Sequence, residues 1–251
     1  MRRLPVFRRD APAAGVEAAA CGDGRPQRAN VLLASGTLAV GLLLDRASGL
    51  AGQVLVGVLF WAVFFHLLRT TSHQWRLPFY ACLIWATAGE IFLSLVWGLY
   101  SYRLENIPFF IPPGHVLLFY LGLVWAPRVP RWLIGGVPVL AVGYAAVAAW
   151  YGFDTMSILL VGTFVLCMLR QVGRRLYAAM FVLALALELY GTALGIWTWH
   201  PAVPYLGLSS LNPPLAAGAF YCVLDMLVAM SARSLLRPSQ PHPSALQLKV
   251  S

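Results

Sequence analysis

The chain has 251 residues, of which 60% are apolar and only 11% charged, and its mean hydropathy is +0.73, so it carries too little charge to cover a soluble domain with water-facing side chains. A net charge of +9 suggests nucleic acid in a soluble protein, but here the basic residues lie in short loops between apolar runs, where they set membrane orientation. Composition therefore excludes a nucleic-acid ligand and points to an all-α, polytopic membrane protein whose partners are the lipid bilayer and a hydrophobic small molecule.

In chain order, residues 1–28 are polar, carry six Arg and lack the apolar core of a secretory signal, so they read as a flexible cytoplasmic tail. Eight apolar segments follow, at 29–44, 50–69, 77–101, 108–126, 131–151, 154–170, 176–198 and 213–233. Most reach the ~20 residues that cross ~30 Å of hydrocarbon. They divide into a first membrane half, 29–126, and a second, 131–233; residues 238–251, rich in Pro and Ser, read as a disordered cytoplasmic tail. With both termini inside, 16 of the 18 basic residues are cytoplasmic and only Arg46 and Arg103 lie outside, an asymmetry that favours eight spans. The preference for Arg over Lys and the abundance of Ala are the bias of a GC-rich bacterial genome, which places the protein in a bacterial inner membrane.

The two halves echo each other. Glu90 lies mid-way along the third segment and Glu188 mid-way along the seventh. Each is followed by an aromatic cluster, Tyr100-Ser101-Tyr102 or Trp197-Thr198-Trp199, and then by a Pro-Pro pair, Pro112-Pro113 or Pro213-Pro214, that opens the next segment. Tyr120 and Tyr221 fall seven residues after the second Pro of each pair. An even number of spans per unit gives two parallel four-helix repeats about an axis along the membrane normal.

An ionised carboxylate at bilayer depth costs about 2.5–3.5 kcal/mol, so Glu90, Glu188 and Asp225 are expected to turn inward onto one cavity. On helical spacing Glu90 shares a stripe with Ser94, Trp97 and Ser101, and Glu188 shares one with Thr192, Gly195 and Trp199. Gly191 and Gly195 form a small-residue pair that lets a neighbouring backbone approach. A protonated carboxyl in such a place is a general acid. Glu188 is the expected proton donor, assisted by Thr192, with Asp225 setting its protonation state and Trp197 or Trp199 shielding a cation. The outer Trp and Tyr residues also suit an interfacial belt, His115 and His200 read equally as interfacial polar groups, and Asn212 before Pro213 reads as a helix N-cap. Cys21, Cys82, Cys167 and Cys222 show no C-x-x-C spacing and the five His no H-E-x-x-H pattern, so neither metal nor other cofactor is expected.

Glu90 with Tyr100-Ser101-Tyr102, Ile107-Pro108 and Ile111-Pro112 in one half, and Glu188 with Trp197-Thr198-Trp199, Pro204 and Leu211-Asn212 in the other, together resemble the membrane carotenoid-biosynthesis family that includes the carotenoid 1,2-hydratase-type proteins of bacteria and archaea. That family usually has a Trp after its Pro-rich turn, where this chain has His115 and Ala219-Phe220. A looser likeness is to integral-membrane terpene cyclases. Both resemblances imply protonation of an isoprenoid double bond, with Glu188, Glu90 and Asp225 as the acids. Ser94, Trp97, Tyr100, Tyr102, His115, Thr192, Trp197, Trp199, Asn212 and Tyr221 would surround the substrate. Transport of a small molecule and a structural or assembly role are the alternative classes.

Overall fold

Each of the eight apolar segments contributes one α-helix to the computed structural model, which describes residues 28–170 and 173–235. The expected tails therefore lie outside the described residues, apart from Arg28. The helices are α1 (Arg28–Arg46), α2 (Leu50–Thr70), α3 (Arg76–Glu90), α4 (Ile111–Trp125), α5 (Arg131–Tyr151), α6 (Met156–Leu169), α7 (Arg174–Ala193) and α8 (Gly218–Leu235). The chain is thus mostly helical. Five stretches are long and apolar enough to cross a membrane: α1, α2, α5, α7, and His73–Val96, which contains α3. Many large apolar side chains face outward, such as Leu140 at 74% and Val139 at 70% exposure, which suits a lipid surround better than water.

The third and seventh segments are not continuous helices. After Glu90 the chain widens into a π-helical stretch, Ile91–Val96, in which Trp97 N–H donates to Phe92 O and Leu99 N–H to Leu93 O. Gly98, at φ +73°, then turns it out of the helix. In the second half Gly195, at φ +66°, makes the same turn without a π stretch: Gly195 N–H donates to Thr192 O and Ile196 N–H to Gly191 O, the paired bonds of a glycine-terminated helix. Both Gly positions need the left-handed backbone that a Cβ disfavours.

The freed segments pair with each other. Strand β1 (Tyr100–Tyr102) runs antiparallel to β2 (Trp197–Trp199), with Tyr100 opposite Trp199, Ser101 opposite Thr198 and Tyr102 opposite Trp197. The register is symmetric about the Ser101/Thr198 pair: Arg103 N–H donates to Ile196 O, and His200 N–H donates to Leu99 O, both at 2.9 Å. Ser101 and Thr198 point outward, whereas all four aromatic residues point into the bundle and are buried. A second hairpin, β3 (Ala202–Val203) and β4 (Leu208–Ser209), follows.

Beneath the β1–β2 pair, α3 packs against α4 and α8, and α7 packs against α4 and α8. Around these four, α1 packs on α2 and α4, α5 on α6 and α7, and α6 on α8. Two buried acids with no marker in the sequence fasten the loops at the hairpin end. Asp45 accepts from Arg103, which also donates to Asp45 O at 2.6 Å and Ser48 O at 2.9 Å. Asp154 accepts from Tyr144 O–H, Ser157 O–H and the backbone N–H groups of Leu211 and Leu215, tying the α5–α6 turn to the long segment before α8.

Candidate functional site

Glu90 and Glu188 do not sit mid-helix. Glu90 is the last residue of α3, and Glu188 lies five residues before the end of α7. The expected stripes therefore break at the helix ends, and the aromatic residues fold back over the carboxylates instead of continuing outward. Tyr100 and Tyr102 donate their O–H groups to Oε2 of Glu90, at 2.7 and 2.5 Å. Trp197 and Trp199 donate their indole N–H groups to Oε2 of Glu188, at 2.8 and 3.1 Å. Alternation along a three-residue strand is what allows this, because the first and third side chains point to the same face.

Each remaining carboxylate oxygen meets the helix that follows. His115, on the first turns of α4, places Nε2 3.4 Å from Oε1 of Glu90. Its Nδ1 lies 3.0 Å from Ile111 O, which can only accept, so Nδ1 carries the proton in the neutral ring and Nε2 is the acceptor. Tyr221, on α8, donates its O–H to Oε1 of Glu188 at 3.1 Å. The His115 and Tyr221 rings stack, with centroids 5.2 Å apart and planes within 13°.

Two clefts meet at this cluster. One is walled by Leu38, Leu42, Phe60, Phe110, Ile111 and Leu187. The other is walled by Trp85, Ala86, Gly89, Leu93, Phe220 and Leu224. Glu90, Glu188, Tyr100, His115, Trp199 and Tyr221 line both, and no Lys or Arg lines either. The apolar walls carry no signal in the sequence, since their residues look like any other core positions.

Other expected members lie elsewhere or act indirectly. Asp225 lines neither cleft; it is buried lower on α8, and its two carboxyl oxygens have no hydrogen-bond partner among the described residues. Glu188 is held by Trp197, Trp199 and Tyr221, so the expected pairing of Asp225 with Glu188 is replaced by these aromatic donors. Thr192 donates to Glu188 O, the backbone carbonyl one turn back, and not to the carboxylate. Ser94 donates to Tyr100 O and Trp97 to Pro204 O, so both brace the hairpins. Asn212 does not cap α8, which begins at Gly218; its Oδ1 accepts from Trp199 N–H at 2.9 Å and fixes β2. Tyr120, expected as the counterpart of Tyr221, lines neither cleft; His115 takes that place. Gly191 does not admit a neighbouring helix but the Trp197 ring, which a side-chain carbon there would strike.

Among the described residues no group of three or more His, Cys, Asp or Glu is placed to hold a metal ion. The arrangement can hold and move a proton in an apolar surround, with aromatic faces at hand. No protein-family model, curated protein or solved structure matches the chain.

Proposed function

We propose that the chain is an integral-membrane enzyme that protonates a carbon–carbon double bond of a hydrophobic isoprenoid or other lipid, leading to hydration or cyclisation. The observation that carries this reading is the pair of carboxylates facing shared apolar clefts, with aromatic donors on their oxygens and no basic residue but His115 beside them. A proton carried by either carboxyl stands next to an apolar substrate, which is where a general acid for a carbon–carbon double bond is needed. The carotenoid-biosynthesis resemblance points the same way.

The hydrogen bonds favour a division of labour different from the one expected from sequence. Oε2 of Glu188 receives two indole N–H groups, which can donate but never accept, and Oε1 receives Tyr221 O–H. Both oxygens of Glu188 are thus occupied as acceptors. Glu90 instead has Oε1 facing the acceptor nitrogen of His115 at a separation that leaves the oxygen open to the cleft. Glu90 is therefore the proton donor. Its proton goes to one carbon of the double bond, the π electrons form the new C–H bond, and the other carbon becomes a cation. The Glu188 carboxylate and the faces of Tyr100, Trp197 and Trp199 stabilise that cation. Water then adds to it and gives up a proton, or a second double bond adds to it and the new cation loses a proton from a neighbouring carbon; in either case the released proton returns to Glu90 through His115.

The membrane arrangement belongs to the same reading: eight spans in a bacterial inner membrane, both termini cytoplasmic, built as two parallel four-helix repeats. Supporting the repeat, the β1–β2 register and its flanking hydrogen bonds are unchanged when the halves are exchanged. Supporting the span, Trp132 and Trp150 are exposed near opposite ends of α5, roughly 27 Å apart at 1.5 Å per residue, as interfacial aromatic residues are. Reporters fused near residues 103 and 205 should give extracytoplasmic signals.

The function is tested with Glu90→Gln and Glu188→Gln, which keep shape but not acidity or charge, in cells supplied with candidate isoprenoids. Loss of product from lipid extracts in both variants is expected. Undiminished product from either folded variant would overturn the roles of donor and cation stabiliser assigned to these two residues.

A further inference from the structure

A compact substrate needs one apolar chamber around its reacting atoms, yet two chambers meet at the same polar cluster in this fold. The first runs between α1, α2, α4 and α7, and the second between α3 and α8. The helices that carry the acids, α3 and α7, thus each bring an apolar wall to one side of the cluster, while α1 and α2 wall the first chamber only. Trp85, on the wall of the second, is 39% exposed, which brings that chamber to the lipid-facing surface. Gly89 keeps the second chamber open, because no heavy atom lies within 4 Å of where its Cβ would stand.

We propose that the two clefts are arms of one lateral passage, and that the substrate is a linear apolar chain lying through both, with its reacting double bond internal to the chain. This rests on the proposed function for the location of the chemistry, but it concerns binding and is separable from turnover. A shorter chain fills one arm only. The shared residues then meet the middle of a long substrate, and the arms measure the length on either side.

The test is cysteine protection in a Cys21→Ser background, where the other native cysteines are buried. Leu187→Cys reports on the first arm and Leu93→Cys on the second, each by its rate of reaction with N-ethylmaleimide in detergent. Two probes are compared: squalene, a long linear isoprenoid hydrocarbon, and β-farnesene, which is half its length. Squalene is expected to protect both positions, and Gly89→Trp, which fills the second arm, is expected to abolish squalene protection at Leu187→Cys while leaving farnesene protection there. Squalene protection of Leu187→Cys that survives Gly89→Trp would show two independent seats and overturn the proposal. If farnesene protection is also lost, the Trp has damaged the fold, and the reciprocal pair, Leu42→Trp read at Leu93→Cys, decides by the same criterion. Failure of both probes to protect either position would overturn the passage together with the apolar-substrate reading on which it rests.

Discussion

The imidazole of His115 lies stacked on the phenol of Tyr221, and each ring contacts a different carboxylate, His115 that of Glu90 and Tyr221 that of Glu188. The stack joins the two halves of the chain at the atoms where the chemistry is placed. It also separates two properties of His115, a flat ring that fills space and a nitrogen that accepts a proton.

His115→Phe keeps the first property and removes the second. Product formation should fall by roughly 100- to 10,000-fold, the usual worth of a positioned acid or base. The midpoint of thermal unfolding in detergent should stay close to that of the parent. A loss of activity matched by a loss of stability would make His115 a packing residue only.

Gly191→Ala puts a carbon into the Trp197 ring. Overpacking of this kind costs about 1–3 kcal/mol, and the ring can escape only by leaving Glu188. Thermal unfolding should come earlier and product formation should drop together. At Gly195, whose Cβ would meet open space, Ala brings only the backbone strain of a positive φ, about 1–2 kcal/mol, and leaves the Trp197 bond in place.

The helices were legible in the sequence because lipid-facing runs need no polar side and leave long apolar stretches between loops marked by Arg. The echo between Glu90 and Glu188 was legible too, but out of register by one: Gly98 follows Glu90 by eight residues and Gly195 follows Glu188 by seven. Matching Trp97 with Gly195 treated both stretches as α-helix. The π-helical stretch at Ile91–Val96 absorbs the extra residue and brings Gly98 to the same turn as Gly195. The strands were not legible, because three residues carry no periodicity of their own and pair only with a partner about a hundred residues away. Asp154 escaped notice for a related reason: its four donors come from three separate parts of the chain, and nothing local marks it as more than a loop acid. Asp225 was conspicuous, by contrast, because a lone acid in an apolar helix stands out whether or not it lines the site.

The central claim is that a carboxyl proton is delivered to carbon. It is tested most directly by running the reaction in deuterium oxide with membranes containing the protein and a substrate that the cells convert. One deuterium bonded to carbon, resistant to back-exchange in ordinary water, is predicted in each product molecule by mass spectrometry. Product formed at the normal rate without carbon-bound deuterium would contradict the account.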